Sequence, residues 1–190
     1  MARKPLATII FSFLLMLCAQ ASAQYQLEMP PDIRAWFRNP DGSCVQCSIG
    51  MSGVYHNNPN AASLLWDTEY GSRVRGGSGP GRVEDYFNRR GIKGWNITGA
   101  NTWEWMKWAA KTGRMIAIGA GGSHFQTLCW YNPDKGVWYV CNNNSPTKID
   151  EYDEAGFRRL HLASGQWVVI LDTPAAPAVP KYVQWWDEPK

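Results

Sequence analysis

The spacing of apolar positions changes near residue 114. Before it, they recur at irregular three- and four-residue intervals broken by glycine, and after it they bunch into runs of strand length. In the first half, Ile49, Met51, Val54 and Tyr55 predict a helix over 45–57, with Gly50 and Gly53 inside it. A glycine within a helix costs about 1 kcal/mol relative to alanine, so this pair predicts close packing against a neighbour. Asn57-Asn58-Pro59-Asn60 ends the segment. A second short helix is predicted over 61–70, a glycine-rich rim loop over 71–81, and a helix over 82–90 stopped by Gly91. A short strand follows at 93–98. Thr102 then caps a helix with Glu104 in its first turn, Trp105, Met106, Trp108 and Ala109 on its core side, and Gly113 at its end. Ahead of all these, Ile33, Trp36 and Phe37 anchor a polar, proline-punctuated arm over 24–40.

The second half predicts strands at 114–120, 124–131 and 137–141, a helix over 153–162 and a closing buried strand over 166–171. Pro133-Asp134-Lys135-Gly136-Val137 reads as a hairpin with Gly136 in the left-handed position of a three-residue loop. Pairing Pro133 with Val137 sets a register that puts Cys129 opposite Cys141 and Leu128 opposite Asn142. His124 and Asn142 then project from one face of the sheet and the two cysteines from the other. That predicts a cross-strand disulfide, or a close thiol pair, between Cys129 and Cys141. Helices followed by antiparallel strands define an α+β chain with N-terminal helices packed on an antiparallel β-sheet.

The ends of the chain add a compartment. Arg3 and Lys4 precede the apolar run 9–17, and Ala21-Ser22-Ala23 offers a small-residue cleavage site, so 1–23 reads as a signal peptide cut after Ala23. The expectation is a secreted or periplasmic protein with one domain over 24–172 and no integral membrane segment after cleavage. Residues 173–190 form a proline-rich tail ending in Tyr182, Trp185 and Trp186. Loss of Arg3 and Lys4 lowers the formal charge from +3 to +1, which excludes a nucleic-acid footprint and a polybasic membrane patch. Nothing in the sequence sets an oligomeric state.

Several familiar chemistries fall away on spacing. Cys44-x-x-Cys47 has no second knuckle in Cys129 and Cys141, so no metal site is expected, and it lacks the βαβ context of a thioredoxin-like motif. The run Gly76-Gly77-Ser78-Gly79-Pro80-Gly81-Arg82 lacks the Gly-Lys-Ser/Thr ending of a phosphate loop. Asn96-Ile97-Thr98 matches a glycosylation sequon. The eleven tryptophans are read mainly as packing residues.

What remains is a cysteine at a helix entrance, in Gly42-Ser43-Cys44-Val45-Gln46-Cys47-Ser48. Open backbone N–H groups there stabilise a thiolate and can hold a developing oxyanion. A thiol nucleophile also needs a base within hydrogen-bond reach and a polar group to orient that base. His124, at the head of a strand after Gly121-Gly122, and Asn142, on the same face of the next strand, supply both.

These residues resemble papain-like cysteine peptidases. Gly42-Ser43-Cys44 followed by Ser48 is similar to that superfamily's Gly-Ser-Cys-x-x-x-Ser nucleophile signature. Gly122-Ser123-His124-Phe125, a Tyr131-centred turn and Val140-Cys141-Asn142 look like the His- and Asp/Asn-bearing strands of bacterial C39-type peptidases. The resemblance implies a papain-like fold and a Cys-His-Asn triad of Cys44, His124 and Asn142 cleaving a peptide or isopeptide bond in a protein or peptide substrate, with no cofactor. The family's glutamine before the nucleophile is replaced by Arg38-Asn39-Pro40-Asp41, where Asn39 is the best substitute oxyanion donor because an amide can donate and a carboxylate cannot. Asn143 and Asn144 stand open as alternatives to Asn142. Aligning on the superfamily's double-cysteine pattern instead makes Cys47 the nucleophile and Asp41 the glutamine equivalent. A transferase or amidase reaction on the same scaffold, and a catalytically inactive scaffold serving as a secreted binding or structural protein, are the competing functions.

Overall fold

The computed structural model describes residues 29–39, 41–67, 70 and 77–173. The expected signal peptide and proline-rich tail lie outside the described residues, as does most of the rim loop. Six helices and six strands follow in order: α1 Pro31–Trp36, α2 Cys44–Tyr55, α3 Pro59–Ala62 with a 3-10 turn Ser63–Leu65, α4 Pro80–Arg90, β1 Gly94–Thr98, α5 Thr102–Lys111, β2 Ile116–Gly119, β3 Phe125–Asn132, β4 Val137–Cys141, β5 Asp150–Asp153, α6 Glu154–Leu162 and β6 Trp167–Leu171. The strands form one antiparallel sheet in the order β1-β6-β2-β3-β4-β5. The chain is α+β. Among the described residues no helix is long and apolar enough to cross a membrane.

Alternation along the central strands divides the core between the two faces of the sheet. Ala117, Phe125, Val169 and Leu171 pack with α2, α3 and α4. Ile116, Ile118, Leu128, Val168 and Ile170 pack with α5 and α6. Covered on both sides, these strands read as continuous apolar runs rather than alternating ones. Helix α2 shows no apolar stripe for a related reason, being buried from Cys44 through Gly53. Its glycines answer to contact, as expected: a Cβ on Gly50 would lie 2.6 Å from Phe37 Cε1, and one on Gly53 would lie 2.3 Å from Ala62 N.

Several local expectations are corrected. The helix expected over 61–70 begins at Pro59 and ends its 3-10 turn at Leu65, because Asn58 Oδ1 accepts from Ala61 N (3.0 Å) and caps it early. Thr102 is inside α5 rather than its cap, since its hydroxyl bonds to Gly99 O (2.9 Å) and to His161 Nε2 (2.8 Å). Strand β5, Asp-Glu-Tyr-Asp in sequence, was not expected; it is a polar edge strand with no apolar face to betray it. Trp36 is 63% exposed and anchors nothing, whereas Arg34 is buried. The Arg34 guanidinium donates to the carbonyls of Met29, Pro146 (2.8 Å) and Thr147 (2.9 Å), clasping the loop after β4 to the arm. Asn96 of the sequon is half-buried on β1, its amide donating to Pro80 O (2.8 Å) and accepting from Trp167 Nε1 (2.6 Å).

The β3–β4 hairpin departs from the expected register twice. Asn132, not Pro133, pairs with Val137, because Asn132 Oδ1 accepts from the amides of Asp134 (3.0 Å) and Lys135 (3.2 Å) and closes a four-residue turn. A bulge at Cys129 then shifts the pairing again, so Thr127 opposes Cys141 and Leu128 opposes Val140. Each one-residue shift exchanges faces, and two restore the original sense. Gly136 does take the left-handed conformation, at φ 63°.

Candidate functional site

Cys44 is the first residue of α2, with Ser43 before it as N-cap. Ser43 does not cap through its side chain; its hydroxyl donates to Asp41 Oδ1 (2.9 Å). The first helical acceptor to be used is Ser43 O, by Cys47 N (2.9 Å), so the amides of the turn before it point out of the helix end without intrahelical partners. Cys44 as a whole is 6% exposed. Burial pushes its pKa up, against backbone hydrogen bonds from Phe125, Val45 and Cys44 itself that pull it down. The thiol thus rests protonated, against the amide of the residue that follows His124.

His124 sits half-buried just ahead of β3, held by its carbonyl accepting from Ala120 N (2.9 Å). Its Nε2 is 3.0 Å from Asn142 Oδ1. The same oxygen accepts from the backbone amide of Asn144 (3.0 Å), which can only donate. Asn142 therefore presents its acceptor to the ring, Nε2 carries the proton, and Nδ1 is left as the basic nitrogen. This is the arrangement a general base needs. No hydrogen bond joins the Cys44 thiol to the ring; the link between their segments is the backbone of Phe125, the residue after His124, which hydrogen-bonds to Cys44.

The three consecutive asparagines divide the work. Asn142 faces His124. Asn143 is fully buried, and its Nδ2 reaches Cys44 O (3.0 Å), Ser48 Oγ (3.0 Å) and Phe125 O (2.9 Å). It ties the start of α2 to the start of β3, the two segments that carry the thiol and the imidazole. Asn144 Oδ1 accepts from Asn39 Nδ2 (3.0 Å). Sequence reasoning left Asn143 only as an alternative to Asn142. Its signal was Ser48, four residues after Cys44, a hydroxyl whose partner the sequence does not reveal.

Asn39 lies beside the helix entrance: its Oδ1 accepts from Gly42 N (3.1 Å) and its own amide bonds to Asn143 O (2.8 Å). One of its two side-chain protons is taken by Asn144, leaving one. Cys47 packs in a cluster with Phe37, Met51, Met115, Cys129 and Cys141, with no exposed surface, within electrostatic reach of Cys44. Its pKa is pushed up to about 12, first by burial and then by the charges of Cys44 and Asp41. Gln46, one turn before Gly50, is fully buried and neither amide atom has a partner. Gly77, the first described residue after the rim loop, comes within about 4.0 Å of Gly42 O by its would-be Cβ, so the loop rejoins the fold next to the helix entrance.

Cys129 and Cys141 are neighbouring free thiols rather than a bridge. The bulge carries Cys129 out of direct opposition, and each sulfur donates to a carbonyl, Thr127 O (3.7 Å) and Pro146 O (3.4 Å). If Cys141 ionises, Cys129 can give its one proton to the Cys141 sulfur instead of Thr127 O, which holds the Cys129 pKa up, with burial, and the Cys141 pKa down, with Arg34. Among the described residues no group of three or more His, Cys, Asp or Glu side chains is placed to hold a metal ion. Neither a family model nor a curated protein matches this chain.

Proposed function

We propose that the chain is a papain-like thiol hydrolase, similar to C39-type peptidases, that cleaves a peptide or isopeptide bond. The observation that carries this reading is the 3.0 Å contact from His124 Nε2 to Asn142 Oδ1, which leaves Nδ1 free to act as base, while Cys44, at a helix N-terminus, lies against the backbone of the next residue, Phe125. Cys44 transfers its proton to His124 Nδ1 as its sulfur attacks the carbonyl carbon. The developing oxyanion is held by first-turn amides of α2 with the remaining proton of Asn39 Nδ2. His124 then delivers the proton to the leaving amine, and water releases the acyl group. Because burial holds the resting thiol protonated, the proton moves during attack and does not stand on the imidazole beforehand.

A peptide-based fluorogenic substrate tests this reading. Wild-type protein should release the fluorophore, and His124→Ala and Cys44→Ala should each lose at least about 10³-fold in kcat/KM. Equal rates in all three proteins would remove the hydrolase. The inactive-scaffold reading has one observation in its favour, the engagement of Asn39 Nδ2 by Asn144. It predicts a folded protein with no turnover.

A further inference from the structure

Cys47 is the nucleophilic group nearest the site that the hydrolytic scheme leaves idle. It follows Cys44 by three residues on α2, and side chains so spaced on a helix have Cβ atoms about 5–6 Å apart. A disulfide needs about 3.5–4.5 Å, so the two sulfurs meet only if one end yields. Cys44 can yield: as the first helical residue its own amide has no intrahelical acceptor to break. Both thiols are free. Cys44 is 6% exposed and Cys47 is fully buried, so a solvent-borne oxidant meets Cys44 first.

We propose that Cys44 and Cys47 form a reversible disulfide when a hydroperoxide reaches the site, storing the nucleophile in an inactive but recoverable state. That the stored state is inactive rests on Cys44 being the nucleophile; that the bond forms does not. In the first step Cys44 gives up its thiol proton as its sulfur attacks one peroxide oxygen, an S–O bond forms as O–O breaks, and the other oxygen leaves as water or alcohol carrying that proton. Sulfur is oxidised by two electrons and the peroxide is reduced by two. The product, a sulfenic acid, presents an electrophilic sulfur to the neighbouring Cys47 thiol. Cys47 sulfur then attacks Cys44 sulfur, S–S forms as S–O breaks, and the hydroxyl departs as water with the Cys47 proton. A small dithiol returns both electrons and is itself oxidised to a disulfide. Burial, which makes Cys47 useless as a nucleophile toward external substrate, protects it from over-oxidation until Cys44 presents an electrophilic sulfur.

Peptide mapping tests this directly. Trypsin cuts after Arg38 and Arg73, giving a peptide 39–73 that holds Cys44 and Cys47 and no other cysteine, while Cys129 and Cys141 fall on the separate peptides 115–135 and 136–148. The full chain is treated with two equivalents of hydrogen peroxide, enough to carry one thiol to sulfinic acid, then denatured, alkylated with iodoacetamide and digested. The expected 39–73 peptide is unalkylated and two hydrogens lighter than its dithiol form, and dithiothreitol before alkylation restores two alkylation sites. In Cys47→Ser the same dose should carry Cys44 to sulfinic acid, which dithiothreitol does not reverse. Sulfinic Cys44 beside an alkylated Cys47 in the wild type would overturn the proposal, and so would a cross-link of 115–135 to 136–148 with 39–73 fully alkylated. The wild-type map decides even if Cys47→Ser does not fold. Masses are read without activity, so a disulfide in a protein that hydrolyses nothing removes the hydrolase alone, and turnover without a disulfide removes this proposal alone.

Discussion

The two faces of the sheet are packed from different materials. On the α5 and α6 side Trp138 stacks on Phe157 with centroids 4.7 Å apart, Trp103 lies 5.4 Å from Trp138, and the buried polar pair His161 and Thr102 is satisfied by Gly119 and Gly99. On the α2 side Ser43, Gln46, Ser48 and Asn143 are all buried, and Gln46 and one oxygen of Asn143 have no partner. Buried polar groups without partners cost stability, whereas aromatic packing supplies it. The α5 and α6 side also holds such a group, Trp138 Nε1, so the contrast is one of degree: aromatic packing dominates one face and buried polar side chains at the start of α2 mark the other. The α2 face carries Cys44, and Asn143 ties it to Phe125, the residue after His124.

Substitutions should break the two faces in different currencies. The largest expected effect is on chemistry: Cys44→Ala should abolish turnover of a peptide substrate while the unfolding midpoint stays within a degree or two. Trp138→Ala should do the reverse, losing about 3–5 kcal/mol in urea unfolding with any surviving folded fraction still labelled at Cys44 by a thiol reagent. Asn143→Ala should affect both, because it removes the group that ties Cys44 O, Ser48 Oγ and Phe125 O together. A loss of about 2–3 kcal/mol together with slower labelling of Cys44 would sharpen the contrast; lost stability with unchanged labelling would make Asn143 a packing residue only. Gln46→Met should raise stability by about 1 kcal/mol by removing orphaned donors and acceptors, measured as an upward shift of the urea midpoint.

The smallest effect is on pH dependence of folding. Burial holds the His161 pKa below its ordinary 6.5, so the unfolded chain binds more protons in that window and stability falls as pH drops below about 6.5. Unfolding midpoints of wild type and His161→Gln measured from pH 7 down to pH 5 should converge, since the glutamine does not titrate. Parallel curves would show that the α5 and α6 face is not acid-sensitive through this histidine.

Much of the α2 face was legible because its chemistry is local. A cysteine after Gly42-Ser43 at the start of an apolar segment needs no long-range information to place at a helix entrance. The sharing of a face by His124 and Asn142 was also reachable, though by a route the structure revises: the extra turn residue and the bulge at Cys129 each exchange faces, and they cancel. The same bulge moves Cys129 out of direct opposition to Cys141, so of the two expectations the close thiol pair holds and the disulfide does not. Arg34 and Asn143 were out of reach, since each is a polar residue buried by carbonyls contributed from about 100 residues away. Strand β5 was hidden because an edge strand carries no periodic apolar signal.

The central claim is that His124 activates Cys44, and the rate of Cys44 alkylation by chloroacetamide tests it most directly, followed at pH 7 by mass of the 39–73 peptide in wild type and His124→Ala. Wild type should label at least about tenfold faster, with the rate rising with pH because burial keeps the resting thiol protonated. Equal rates in the two folded proteins would contradict the account.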